Sequence, residues 1–137
     1  MEATRVMVID DEPIVCDRLK GHLEKDGYRV ETFVKSVEAL AALKERTYDV
    51  VVTDLKMAGA TGQDVLQTVR DCGFPTQVIM ISAYASSDAL RDAEAVGAYE
   101  FLCKPFELKT LSQKVKAAAK RARRAGAGGR RPAERES

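Results

Sequence analysis

At 137 residues the chain has room for one domain with a proper core and too little for two. Its 45% hydrophobic and 31% charged residues are ordinary for a globular protein, and its apolar runs, such as Val78-Ile79-Met80-Ile81, are far too short to span a bilayer. The net charge of +1 hides a split: residues 1–108 carry 12 Lys+Arg against 19 Asp+Glu, and residues 109–137 carry 10 against 2. Cys16, Cys72 and Cys103 are odd in number, widely spaced and without a CxxC pair, which argues against a disulfide frame or a zinc site. They are expected to be buried small hydrophobes in a reducing compartment. The first residues show no charged-then-apolar leader pattern, so a cytoplasmic location is expected.

In chain order, short β-branched runs alternate with helical patterns. Arg5 to Ile9 reads as a strand, followed by a helix with Pro13 at its start and Leu19 and Leu23 on one face. Gly27 ends that helix, and Tyr28 to Phe33 alternates as a strand exposed on one side. Ser36 is expected to cap a helix carrying Val37, Leu40 and Leu43. Asp49 to Thr53 is a continuous apolar strand. The loop Ala58-Gly59-Ala60-Thr61-Gly62 leads into a third helix with Val65, Leu66 and Val69. Thr76 to Ile81 is the fourth strand, 86–96 a fourth helix, Ala98 to Leu102 the fifth strand, and Leu108 to about Arg124 the last helix.

Five such units, with both faces of strands 1, 3 and 4 apolar, predict an α/β fold: a five-stranded parallel doubly wound sheet with helices on both sides. The alternating second strand suits an edge, which favours the flavodoxin-like order 2-1-3-4-5. The domain is expected over 1–124, and 125–137 as a basic, disordered tail. In such sheets ligands bind beyond the carboxyl ends of the strands. There the chain places Asp10, Asp11 and Glu12 after strand 1, Asp54 after strand 3, Ser82 after strand 4 and Lys104 after strand 5. Clustered carboxylates repel one another unless a cation neutralises them, and an open oxygen-rich site suits Mg²⁺. Asp54 can then act as a nucleophile toward phosphorus, with Lys104 and the Ser82 hydroxyl stabilising the transferred group. Each residue alone has a plainer reading: Asp11 or Glu12 as a helix cap, Ser82 as a turn residue, Lys104 as a solvated charge. Their conjunction at four strand ends carries the inference.

Val8-Ile9-Asp10-Asp11-Glu12, Val52-Thr53-Asp54-Leu55-Lys56-Met57, Ile79-Met80-Ile81-Ser82-Ala83 and Lys104-Pro105-Phe106 together resemble the receiver domain of bacterial two-component response regulators, over about residues 4–122. The spacings of 28 residues from Asp54 to Ser82 and 22 from Ser82 to Lys104 are similar to those of the nitrogen-regulatory subgroup. The resemblance implies that Asp54 is the phosphoacceptor, loaded by a sensor histidine kinase or a histidine phosphotransfer protein. It also implies Mg²⁺ bound by Asp11, Asp54 and the Lys56 backbone carbonyl, with Asp10 acting mostly through water. Ser82 and Lys104 would hold the phosphoryl group, Lys104-Pro105 would be a cis peptide, and Ser82 with Phe101 would form the switch. Tyr99 shares the strand parity of Phe101 and competes for that role. The face of the fourth helix, fifth strand and fifth helix would then meet a downstream protein or a second copy.

The chain departs from the family where Pro-Gly and Asp-Gly commonly follow the acceptor strand; it has Ala58-Gly59-Ala60-Thr61-Gly62 instead, losing a stiffening proline and a capping carboxylate. Lys56 and Tyr84 stand where the family tunes access of hydrolytic water. A turnover phosphatase of the aspartyl-phosphate type would need an Asp two residues after the nucleophile, where this chain has Lys56, so a phosphoacceptor rather than an enzyme is expected. A flavodoxin-like carrier would need a hydroxyl- and Gly-rich loop where Asp10-Asp11-Glu12 stands. The basic run Lys114, Lys116, Lys120, Arg121, Arg123, Arg124, Arg130 and Arg131 reads as a solvated helix end. Nucleic acid, an anionic membrane or an acidic partner are its alternatives. A relay intermediate or a single-domain regulator using that tail is the alternative function.

Overall fold

The structure, a computed structural model, describes residues 3–55, 59–73, 75–82 and 100–128, with side chains of the last segment to residue 125. Its strands are β1 (Arg5–Ile9), β2 (Arg29–Phe33), β3 (Val50–Asp54), β4 (Gln77–Ser82) and β5 (Glu100–Cys103). They pair in parallel in the order β2-β1-β3-β4-β5, as the apolar patterning predicts. The helices among the described residues are α1 (Pro13–Lys25), α2 (Ser36–Glu45), α3 (Gly62–Cys72) and a C-terminal helix, Leu108–Gly128. The helix expected over 86–96 and the start of the fifth strand lie outside the described residues.

Strand side chains alternate in direction, so a strand covered on both faces feeds two cores. Val6, Val8, Val50, Val52, Ile79, Ile81 and Leu102 face Leu19 and Leu23 of α1 and Leu111, Val115 and Ala118 of the C-terminal helix. Met7, Ile9, Val51, Val78 and Met80 face Ala39 and Leu43 of α2 and Val65, Leu66 and Val69 of α3. In β2 only Val30 is buried, in keeping with its place at the sheet edge.

The local endings follow residue chemistry. Pro13 opens α1, where a missing N–H costs nothing, and Gly27 takes a φ of 93° in the turn that follows. Thr61 and Asp64 form a capping box on α3: Thr61 Oγ1 accepts from the Asp64 N–H at 3.2 Å, and Asp64 Oδ2 accepts from the Thr61 N–H at 2.8 Å. The capping carboxylate missing before Gly62 is thus supplied three residues later.

Three expectations need correction. Ser36 is the first helical residue of α2 and Lys35 holds the cap position, so Ser36 is not the N-cap. Only Cys16 is buried: Cys72 is half-buried, and Cys103 is exposed at the end of the edge strand β5. The last helix continues to Gly128 instead of stopping near Arg124. Arg123, Arg124 and Ala125 are strong helix formers and carry the helix past Ala122, the last buried residue among those described, whereas Gly126 and Gly128 have low helix propensity.

Candidate functional site

Backbone hydrogen bonds set the strand ends in a row. Asp10 N–H donates to Phe33 O at 3.1 Å, Leu55 N–H to Ile81 O at 2.8 Å, and Lys104 N–H to Ser82 O at 2.8 Å. These bonds carry the parallel pairing one residue past the apolar strands, so Asp10, Asp54, Ser82 and Lys104 emerge at the same edge. On α1, Cys16 Sγ donates to Asp10 O at 3.3 Å, while burial, with Asp10 nearby, pushes that thiol up from its ordinary pKa.

Lys104 joins the two acidic strand ends. Its Nζ lies 3.1 Å from Asp54 Oδ2 and 3.2 Å from Asp10 Oδ2. Burial acts against the ammonium, but the bond to Asp54 and the charge of Asp10 outweigh it and raise the lysine above its ordinary value. Asp10 is only 2% exposed, and its Oδ1 accepts the Glu12 N–H at 2.9 Å in a turn that starts α1. Glu12 sits at the helix cap position without a side-chain capping bond. Asp11 and Glu12 are exposed, and with Asp10 each offers a carboxylate oxygen within 4.8 Å of the others. A hard oxygen donor set of this kind fits a divalent cation such as Mg²⁺. Ser82 is buried at the end of β4, beside β3, and the Lys104-Pro105 peptide is cis.

Phe101 is half-buried, opposite Met80 in register, and packs on the core shared with α2 and α3. The predicted contributions of Lys56, Tyr84 and Tyr99 lie outside the described residues. Glu12 joins the carboxylate group, as the run Asp10-Asp11-Glu12 predicts. One feature escapes residue-pattern reasoning, Gly62: a Cβ there would stand 2.6 Å from Asp54 O, 2.9 Å from Leu55 Cα and 2.9 Å from Met80 Sδ. Its N–H donates to Leu55 O at 2.9 Å, so α3 starts directly against the backbone that carries Asp54.

Comparison with known proteins matches this geometry. The family model of the response regulator receiver domain matches residues 6–116. The chain is 30% identical over 117 residues to the transcriptional regulatory protein QseB of Escherichia coli O157:H7, covering 85% of this chain and 53% of that protein. It is 32% identical over 118 residues to the transcriptional regulatory protein CutR of Streptomyces coelicolor, covering 85% and 54%. Among solved structures, a response regulator receiver domain protein from Clostridium thermocellum is similar with a TM-score of 0.81 at 33% identity, covering 86% of this chain and 95% of that one. A CheY-like receiver domain protein from Methanospirillum hungatei gives 0.85 at 25% identity, covering 91% and 100%. The chain belongs to the response regulator receiver domain family. It spans about half the length of the curated relatives it matches.

Proposed function

We propose that the protein is a phosphoacceptor switch that takes a phosphoryl group on Asp54 from a phosphohistidine. The donor is a sensor histidine kinase or a histidine phosphotransfer protein. The observation that carries this reading is the position of Lys104, shared between Asp54 and Asp10 at 3.1 and 3.2 Å. An Asp54 carboxylate oxygen attacks phosphorus and forms a P–O bond, while the P–N bond to the donor imidazole breaks and its electron pair stays on nitrogen. Lys104 moves from carboxylate to phosphoryl oxygen, and the Ser82 hydroxyl donates to another. Asp11, Asp54 and the Lys56 carbonyl would hold Mg²⁺, with Asp10 acting mostly through water, and the ion would supply positive charge against the carboxylates and the transferring group.

The donor's approach is supported by a hollow of about 480 Å³ beside the site, lined by Ile14, Val15, Pro105 and Phe106 together with Glu12 and Lys104. Ile14 is 78% exposed on α1, a large apolar side chain offered to a partner next to the acidic group. Movement of Ser82 toward the phosphoryl group leaves room for Phe101 to turn inward. That repacks the face of the fourth helix, β5 and the C-terminal helix for a downstream protein or a second copy. The protein acts in the cytoplasm as an acceptor and not as a turnover enzyme; no helix among the described residues is long and apolar enough to cross a membrane. The test is transfer of label from acetyl phosphate with and without a chelator. Labelling that requires the divalent ion and Asp54 supports the reading, and metal-independent labelling contradicts it.

A further inference from the structure

The C-terminal helix buries one stripe, Leu111, Val115, Ala118, Ala119 and Ala122, and turns the opposite one outward. On that outer stripe Lys116, Lys120 and Arg124 are all exposed and follow one another at intervals of four residues. At 1.5 Å of rise per residue they stand about 6 Å apart along the axis, on one side of the helix. Arg121 adjoins them, and Ala117, Lys120, Arg121 and Arg124 line a shallow groove of about 430 Å³. Between Lys109 and Gly128 the sequence contains no Asp or Glu. Asp26 shares a neighbouring hollow with Lys116.

We propose that this stripe binds the phosphate backbone of a nucleic-acid duplex without reading its sequence. Charge complementarity selects the occupant. A row of lysines and arginines answers a row of phosphates and needs no apolar contact. A membrane-surface helix would present large apolar or aromatic residues beside its cations, whereas the exposed face here offers Gln113, Ala117 and Ala125. An acidic protein partner would be held by anchors in desolvated pockets, and the groove is lined by one alanine and three cations. The acidic body, with 19 Asp+Glu against 12 Lys+Arg over residues 1–108, repels a polyanion and confines contact to this helix.

The test is fluorescence anisotropy of the full chain with a short labelled DNA duplex between about 50 and 200 mM salt. Binding is expected to weaken linearly on a log–log plot, equally for unrelated duplex sequences. Lys120→Gln with Arg124→Gln is expected to reduce the slope by about 2, since each phosphate contact contributes about 0.9. The control pair Lys25→Gln with Lys44→Gln, exposed on other helices, leaves the slope unchanged. An equal slope in the stripe variant overturns the proposal. So does tighter binding to anionic phosphatidylserine vesicles than to the duplex, or displacement of the duplex by polyglutamate at equal charge.

Discussion

The Lys104 ammonium stands 3.1 Å from Asp54 Oδ2, so the cation placed to receive a phosphoryl oxygen already neutralises the carboxylate that would carry it. In the proposed reaction this contact makes Lys104 a stabiliser of transferred charge, not a source of chemistry. Lys104→Met is therefore expected to slow phosphorylation by acetyl phosphate by about 100- to 1000-fold, the usual cost of losing one preorganised donor. Initial rates of Asp54 labelling check this; a rate within about twofold of wild type would count against the role.

The same contact has a pH signature. Lys104 is raised above its ordinary value on folding, so its stabilising contribution is complete below the unfolded lysine pKa, about 10.4, and is lost as pH rises through the folded value. Tyr28 and Tyr48, both raised mainly by burial, lose stability in the same direction as they ionise. The lysine's share is read as a difference: the stability gap between wild type and Lys104→Met stays constant up to about pH 10 and narrows above it. Urea unfolding at stepped pH measures both curves.

The Asp10, Asp11 and Glu12 carboxylates crowd one another, and Lys104 answers the charge of Asp10. Mg²⁺ at about 100 times its dissociation constant is expected to stabilise the wild type by about 2.7 kcal/mol, and Asp11→Asn to remove most of that gain. In chelator, Asp11→Asn should be at least as stable as wild type, because an exposed like charge has gone. Thermal unfolding with and without Mg²⁺ reads both effects.

Gly62 is packed tightly behind the acceptor. Ala at a first helical position is ordinarily harmless, yet here its Cβ would meet Asp54 O at 2.6 Å and Leu55 Cα at 2.9 Å. Backbone cannot move aside cheaply, so Gly62→Ala is expected to cost about 1–3 kcal/mol. A lowered urea midpoint accompanied by slower Asp54 labelling is the expected result.

That glycine marks where residue patterns stop being informative. The sheet order was legible because Val6 to Ile9 and Val50 to Val52 are apolar on successive residues while Arg29 to Phe33 alternates. The convergence of Asp10, Asp54, Ser82 and Lys104 was legible because each directly ends a strand. The sharing of Lys104 between two carboxylates and the approach of Gly62 to the β3 backbone depend on distances between segments far apart in the chain. The Thr61–Asp64 capping box follows a spacing of three residues, with Asp where Glu or Gln is usual at the third helical position. Cys103 differs from expectation because residue type reports propensity, and exposure at the edge strand β5 depends on what lies opposite.

Ile14 separates recognition from chemistry. It is 78% exposed and lines the hollow beside Lys104, so Ile14→Asp removes no core contact. Phosphotransfer from a phosphohistidine protein that loads the wild type is expected to fall about 10-fold or more, as for a truncated interface anchor. Labelling by acetyl phosphate is expected to stay unchanged. Equal loss with both donors would place Ile14 in the chemistry instead.

Intact-mass and peptide mass spectrometry after incubation with acetyl phosphate and Mg²⁺ tests the acceptor assignment most directly. The structure leads us to expect one added phosphoryl group, located on Asp54, labile to base and absent from Asp54→Ala. No addition, or an addition that persists in Asp54→Ala, would contradict it.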